Sequence, residues 1–388
     1  MASQLLGQLT PAARSWRPVL GCFFLSAGLL LATGSCFAVE RVRFRVPPPD
    51  DGKGKATHRA AGEATEREIL AELLVEARDG GLLLQADDGR IWTIQPEQIV
   101  NRESDDEPLV PIDADEMERR MLEELPDGFR CYRTSNYVIL HETEEGYVRR
   151  VGELLERLHR GFYTYWRNQR WRLPDPRFPL VVLVLRDHDS FLRHAGSEIG
   201  KTAEAVIGYY HLESNRVTTF KIPNLERNIA TIIHEATHQL AYNSGMQQRF
   251  ADNPMWVSEG LAMYFESPDF SNPRGWRSIG LPNQINLERW RRYLPNRPQE
   301  SLATLIGDDQ RFRNTATAED AYAEAWALTY FLIKTQRADF VRYLQRLSEC
   351  RPLATKTRRE RIEIFEDVFG HDLETIDRGL VGYLQRLR

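Results

Sequence analysis

Hydrophobic and polar residues alternate so that the first half of the chain favours strands and the second half helices. Short apolar runs at residues 137–141 and 178–185 predict buried strands, and the second is the best candidate for a central strand. The runs AVIGYYH and RVTTFKI, separated by LESN, predict a hairpin. From there the apolar residues recur at helical spacing almost to the C-terminus. Strands followed by helices are typical of the α+β class.

A small β module is predicted ahead of this domain. Residues 67–101 contain short apolar runs separated by Asp79-Gly80-Gly81 and Asp88-Gly89, which are hairpin signals, so we expect about three strands. Residues 39–66 include PPPDDGKGKATHRAAGEATE, whose composition predicts a flexible linker. Residues 102–126 are predicted to be an acidic linker with a short helix.

The first 38 residues predict export. Arg14 and Arg17 precede the apolar run VLGCFFLSAGLLLATGSCFAV, and a basic region, an apolar region and small residues form a secretory signal. Cleavage after Ala38 fits this pattern, an uncleaved run of about 20 residues would span a membrane as an anchor, and lipidation at Cys36 would make a lipoprotein. All three alternatives predict a periplasmic, extracellular or membrane-anchored protein that faces outside the cytoplasm.

Composition narrows the class of partner. The 388 residues are 42% hydrophobic and carry a net charge of −5, so the basic excess typical of nucleic-acid binding is absent and no nucleic-acid partner is expected. Cys131 and Cys350 are the two cysteines outside the N-terminal segment. Either a disulfide between them or two free thiols fits the sequence.

The stretch TIIHEATHQLAYNSG, residues 231–245, carries the candidate chemistry. His234 and His238 stand four residues apart, so on a helix both can point a ring nitrogen at one ion. Glu235 lies about 100° further round the helix, off the ligand axis but within reach of a metal-bound water. The stretch therefore predicts a metal site with a neighbouring base.

A third ligand is predicted on the next helix. Asn224 and Gly245 are the expected start and stop signals of the first helix. The following run, DNPMWVSEGLAMYFES, predicts a second helix with Asn253 as cap and Pro254 at its first position. Its Glu259 can return to the two histidines, because enough chain separates them for a turn. Three protein ligands and an open position for water make a catalytic zinc site.

These two stretches resemble the gluzincin metallopeptidases, and most closely their aminopeptidase-N-like and peptidase-MA-like members. The second stretch resembles the pattern W-[LV]-x-E-G-[LF]-A, with matches at Trp256, Glu259, Gly260, Leu261, Ala262 and Glu266. The resemblance covers residues 129–347, and its specific part is 234–266. It implies a thermolysin-like core over residues 127–300, with a mixed sheet, followed by a helical C-terminal subdomain over residues 301–388.

The resemblance also implies the chemistry. His234, His238 and Glu259 would hold Zn²⁺, which lowers the pKa of water towards about 7, and Glu235 would act as general base. Gluzincins often carry a tyrosine beyond the zinc site that stabilises the oxyanion, and Tyr322 is the best candidate for that catalytic role. Tyr322 also belongs to an apolar helical stripe, so a packing role stays open.

The chain departs from the families that it resembles in the region expected to bind the substrate. In this superfamily the edge strand before the metal helix pairs with an extended substrate. Aminopeptidases carry there a G-A-M-E-N-like element that binds the free amine. This chain has Glu213 and Asn215 nearby instead, and we predict that both are turn residues. That difference argues against aminopeptidase specificity and leaves an endopeptidase or another amide hydrolase open.

A second departure concerns the support of the histidines. Thermolysin-type members place an acidic residue four positions after the glutamate ligand, where this chain has Met263. Asp252, Asn253 or Glu266 would have to orient a ligating histidine instead. The sequence does not choose among the three.

Two functional hypotheses follow. The first is an exported zinc metallopeptidase that acts on a peptide or protein substrate. The second is a catalytically inactive gluzincin-fold protein that serves as a binding or scaffold protein of the cell envelope. Glu235 favours the first, because an idle metal site has no chemical need for a base.

Overall fold

The computed structural model describes residues 38–46, 65–266 and 279–387, which contain ten strands and twelve α-helices. They divide into two compact units, one up to residue 111 and one from residue 112. The predicted signal or anchor, apart from Ala38, and most of the predicted linker over residues 39–66 lie outside the described residues. Within the described residues, no helix is both long and apolar enough to cross a membrane.

The N-terminal unit is one antiparallel sheet. Its strands are β1 (Ala38–Val46), β2 (Thr65–Glu76), β3 (Leu82–Ala86), β4 (Ile91–Ile94) and β5 (Ile99–Pro108). They lie in the order β4-β3-β2-β1-β5. Gly80 and Gly89 have φ values of 91° and 80° in the turns on either side of β3, which is the conformation the two predicted hairpin signals require.

The three strands expected in residues 67–101 are β2, β3 and β4, but the sheet has two further strands that were predicted to be linkers. β1 lies in the predicted linker and β5 runs into the predicted acidic linker. Both strands pair along their backbones with neighbours distant in sequence, and local composition does not reveal such pairing. Their charges are also neutralised across strands: Arg102 on β5 contacts Glu40 at 2.9 Å and Glu76 at 3.0 Å. The acidic stretch that was predicted to be a linker therefore forms β5, an edge strand of the sheet.

The second unit contains a mixed sheet. Its strands are β6 (Arg130–Arg133), β7 (Tyr137–His141), β8 (Leu180–Leu185), β9 (Gly208–His211) and β10 (Arg216–Phe220). The order is β6-β7-β8-β10-β9, with β8 parallel to both of its neighbours and β9 at one edge. The predictions of a central strand and of the β9–β10 hairpin are confirmed.

Helices cover both faces of this sheet and make up the rest of the unit. They are α1 (Ala114–Glu124), α2 (Glu145–Asn168), α3 (His188–Ile199), α4 (Leu225–Asn243), α5 (Met255–Phe265), α6 (Gln284–Tyr293), α7 (Ser301–Gly307), α8 (Gln310–Arg313), α9 (Ala318–Thr335), α10 (Arg337–Ser348), α11 (Arg358–Phe369) and α12 (Leu373–Arg386). Strands followed by helices confirm the α+β class. The boundary near residue 300 stays a prediction, because residues 112–387 form one compact unit.

Strand β8 explains why there are two apolar layers. Val182 and Val184 face the larger core, which includes residues of α2, α4, α5 and α9. Val181 and Leu183 face a smaller core with residues of α1 and α3. Side chains alternate along a strand, and a strand buried on both faces is therefore apolar throughout. Cys131, beside the smaller core, is a free thiol, as is Cys350, so the alternative of a disulfide is excluded.

Helix α5 is buried along its whole length, and one glycine sets its distance from α9. A Cβ atom at Gly260 would lie 2.0 Å from Thr329 Oγ1 and 2.8 Å from the Ala325 carbonyl oxygen. No side chain fits in that space without moving the helix. Gly260 directly follows Glu259, so this contact fixes the helix beside the predicted ligand.

We therefore expect Gly260→Ala to destabilise the protein by about 1–3 kcal/mol, the usual cost of overpacking. The control is Gly196→Ala in α3, where an added Cβ would meet nothing within 4 Å. That change should be neutral or stabilising by up to about 1 kcal/mol, because alanine is the better helix former. Urea unfolding measures both, and equal stability of the Gly260→Ala and wild-type proteins would contradict the close packing.

Candidate metal centre

Helix α4 carries the histidine motif and begins and ends as its sequence predicts. The Asn224 side chain accepts a hydrogen bond from the Arg227 backbone N–H at 2.9 Å, which caps the first turn. The helix ends at Asn243, and Gly245 follows with a φ of 69°. The caps set where α4 begins and ends, and the motif residues His234, Glu235 and His238 are buried in the protein interior.

Helix α5 starts differently from the prediction. Pro254 occupies the N-cap position rather than the first helical one, and its side chain makes no capping hydrogen bond; Asn253 lies one residue before the N-cap. The first helical N–H, that of Met255, donates instead to the Asp309 carboxylate at 3.0 Å. Arg361 holds the same carboxylate at 3.0 Å. The cap comes from a residue distant in sequence, which is why local start signals gave the wrong residue.

The structure brings together the three predicted ligands. His234 Nε2 lies 3.2 Å from Glu259 Oε2 and 3.1 Å from His238 Nε2, and His238 Nε2 lies 3.6 Å from Glu259 Oε1. A tetrahedral zinc ion with bonds of roughly 2.0–2.2 Å would separate neighbouring ligand atoms by about 3.3–3.6 Å. One ligand atom from each of the three residues lies within 4.8 Å of the other two, so this donor set can hold one such ion.

The centre is almost fully enclosed. His234, Glu235, His238 and Glu259 have exposed fractions of 6%, 2%, 7% and 0%. Burial lowers the pKa of His238 to about 4, so this ring is neutral at pH 7, as a ligand must be. Burial by itself would also lower the pKa of His234, but hydrogen bonds with Glu259 and Glu266 raise that pKa well above its usual range. A metal ion would supply the positive charge that these carboxylates favour.

Of the three residues proposed to orient a histidine, Glu266 does so. Its Oε1 forms a short hydrogen bond with His234 Nδ1, the ring nitrogen opposite the one that faces Glu259. Asp252 is instead paired with Arg361. Metal-ligating histidines commonly donate their other N–H to a carboxylate in this way.

Glu235 has one oxygen held and one without a hydrogen-bond partner. Its Oε2 accepts a hydrogen bond from the Tyr210 backbone N–H of β9 at 2.9 Å. Its Oε1 is buried, with no hydrogen-bond partner in the described part of the chain. Burial raises the pKa of Glu235 to about 8, and a dication at the neighbouring ligands would lower that pKa again. The fixed oxygen orients the carboxylate, and the other can serve as a proton acceptor.

Tyr322 lies on α9, buried, with its ring edge-on to Phe312 at a centroid distance of 5.3 Å. This contact fits the packing role, and a catalytic role for Tyr322 stays a prediction. Asn215 is confirmed as a turn residue, since it has a φ of 61° between β9 and β10. Asparagine tolerates this conformation better than most residues.

Sequence reasoning missed three contacts of the centre: the Tyr210 N–H, the Asp309 cap and a hydrogen bond from Asn283 to Glu266. The first is a backbone group and carries no sequence signal. The other two residues are far along the chain from their partners. The spacing Asn283-x-x-Asn286 could have indicated a helix cap, but not the contact with Glu266.

Comparison with known proteins identifies one matching family, whose function is unknown. A family described as a protein of unknown function, DUF1570, matches residues 228–354. This is about a third of the chain, and it includes α5, α9 and all the predicted site residues. No curated protein matches the chain.

We expect Asp309→Ala to lower the free energy of unfolding by about 2 kcal/mol, because it removes the cap of α5 and one partner of Arg361. Asp372→Ala is the control: Asp372 also caps a helix, α12, through the Thr375 N–H at 2.8 Å, but it is exposed and has no such buried arginine. That change should cost about 1 kcal/mol. Chemical denaturation compares them, and an Asp309 variant no weaker than the Asp372 variant would contradict the shared role of Asp309.

Proposed function

We propose that the protein is a zinc-dependent hydrolase of the gluzincin type, a peptidase that works outside the cytoplasm. The observation that carries the proposal is the close approach of two imidazoles and one carboxylate that could hold one metal ion. Next to them lies the buried Glu235, whose Oε2 is hydrogen-bonded and whose Oε1 has no hydrogen-bond partner in the described part of the chain. Export rests on the N-terminal sequence alone. The family match covers all the proposed site residues but assigns no activity to them.

His234, His238 and Glu259 would hold the ion. When bound, zinc supplies a Lewis acid that makes water nucleophilic near neutral pH and polarises a carbonyl group. The protein contributes rigidity: α4 supplies both imidazoles from adjacent turns, and α5 is fixed beside them by Gly260. The enclosed site strengthens the electrostatic interactions within it.

Glu235 would move the proton. Its Oε2 is anchored to β9, so its Oε1 can take a proton from the attacking water and later give it to the leaving amine. The same carboxylate serves as base and then as acid, which balances the protons over one hydrolysis. Tyr322 is the proposed second stabiliser of the oxyanion.

The position of β9 supports a peptide substrate. β9 is an edge strand of the mixed sheet, and its Tyr210 contacts the proposed base. An edge strand presents backbone donors and acceptors to which an extended chain can add. The absence of a G-A-M-E-N-like element favours internal cleavage over removal of an N-terminal residue.

Purified protein should contain about one zinc ion per chain, and His238→Ala should lose it, because two ligands hold zinc much less firmly than three. Elemental analysis after dialysis measures the stoichiometry. His194→Ala is a matched control, since His194 lies on α3 and is not one of the three ligands. Well-folded wild-type protein without zinc would leave the inactive scaffold as the better hypothesis.

Glu235→Gln should abolish hydrolysis while zinc stays bound, because glutamine keeps the size of the side chain but cannot accept the proton. General-base removal typically costs about 10²–10⁴-fold in rate. The assay is cleavage of denatured casein followed by mass spectrometry, with zinc content determined on the same samples. Wild-type cleavage by the glutamine variant would remove Glu235 from the mechanism.

A further inference from the structure

Glu266 is held at both of its oxygens. Oε1 meets His234 Nδ1, and Oε2 accepts a hydrogen bond from Asn283 Nδ2 at 3.2 Å. Asn283 is itself buried, with an exposed fraction of 7%. A continuous chain of hydrogen bonds therefore runs from Asn283 through Glu266 to a ligand imidazole.

Both ends of the Asn283 amide are used. Its Oδ1 caps α6 by accepting the Asn286 backbone N–H at 3.1 Å, while its Nδ2 donates to Glu266. A flipped amide would point an oxygen at the carboxylate and a nitrogen at an N–H donor, and neither contact would be a hydrogen bond. The requirement for one acceptor and one donor in these two places fixes the orientation of the side chain.

A second contact holds the start of α6 against α5. Asn286 Nδ2 donates to Met263 Sδ at 3.3 Å. Met263 occupies the position at which thermolysin-type relatives carry their acidic residue. The start of α6, with its cap Asn283, therefore contacts the end of α5 and the following Glu266, the carboxylate that orients His234.

We propose that Asn283 is a positioning residue of the metal centre. It holds Glu266 so that the carboxylate accepts a hydrogen bond from His234 Nδ1–H, which leaves the lone pair of His234 Nε2 directed at the ion. This inference rests on the proposed zinc site. Asn283 acts only through Glu266, so its effect on metal binding depends on that carboxylate.

Two substitutions separate this role from helix capping. Asn283→Ser keeps a good capping oxygen but is too short to reach Glu266. Asn283→Asp keeps the cap and the shape but sets a carboxylate against Glu266. Asn286→Ala is the matched control, because it removes the contact with Met263 and leaves Glu266 untouched.

The measurement is the zinc dissociation constant of the full chain, by competition with a chromogenic chelator, with thermal unfolding to verify the fold. Loss of a residue that supports a metal ligand through hydrogen bonds typically weakens metal binding by about 10–100-fold. We expect about tenfold weaker zinc binding for Asn283→Ser, a larger loss for Asn283→Asp, and wild-type affinity for Asn286→Ala. The absorption spectrum of the cobalt-substituted Asn283 variants should change as His234 shifts.

The same substitutions in a Glu266→Ala background complete the test. If Asn283 acts through Glu266, Asn283→Ser causes no further loss there. A loss of equal size in both backgrounds, or unchanged affinity in the wild-type background, would overturn the inference and leave the zinc site intact. Failure of the wild-type protein to bind zinc would overturn the proposed function, and the inference with it.

Discussion

The carboxylate of Glu259, with no exposed surface and two imidazoles beside it, is the constraint on which the second unit depends. A buried charge is costly unless it is paired. The surrounding structure meets that requirement: α4 supplies both rings, Gly260 lets α9 pack close to α5, and Glu266 supports His234. A protein that needed only a hydrophobic core here would gain nothing from three ionisable groups at this spacing.

Local signals predicted local structure well. The apolar run of β8, the hairpin of β9 and β10, and the cap of α4 by Asn224 all follow from neighbouring residues. The grouping of His234, His238 and Glu259 was predictable for the same reason, since two lie on one helix and the third on the next. Their metal content and their chemistry remain proposals.

Predictions were wrong or silent where the partner is remote in sequence. The strands β1 and β5 pair with strands distant in sequence, and their charged residues form ion pairs across the sheet. Local composition shows neither feature, so both segments were predicted to be linkers. Asp309 caps α5 from more than fifty residues away, and Asn283 reaches Glu266 from the next helix. Each of these contacts joins elements whose proximity is a product of the fold, so no pattern within one segment encodes it.

The pairing of Arg361 with both Asp252 and Asp309 has a consequence for how the protein matures. Asp252 lies just before α5, Asp309 caps that helix, and Arg361 belongs to α11. The contacts at the start of α5 are therefore complete only after the ribosome has made α11, about a hundred residues further along the chain. A nascent polypeptide that ends before α11 would already contain the three proposed ligands, yet it would lack the Arg361 contacts that hold the start of the helix bearing Glu259.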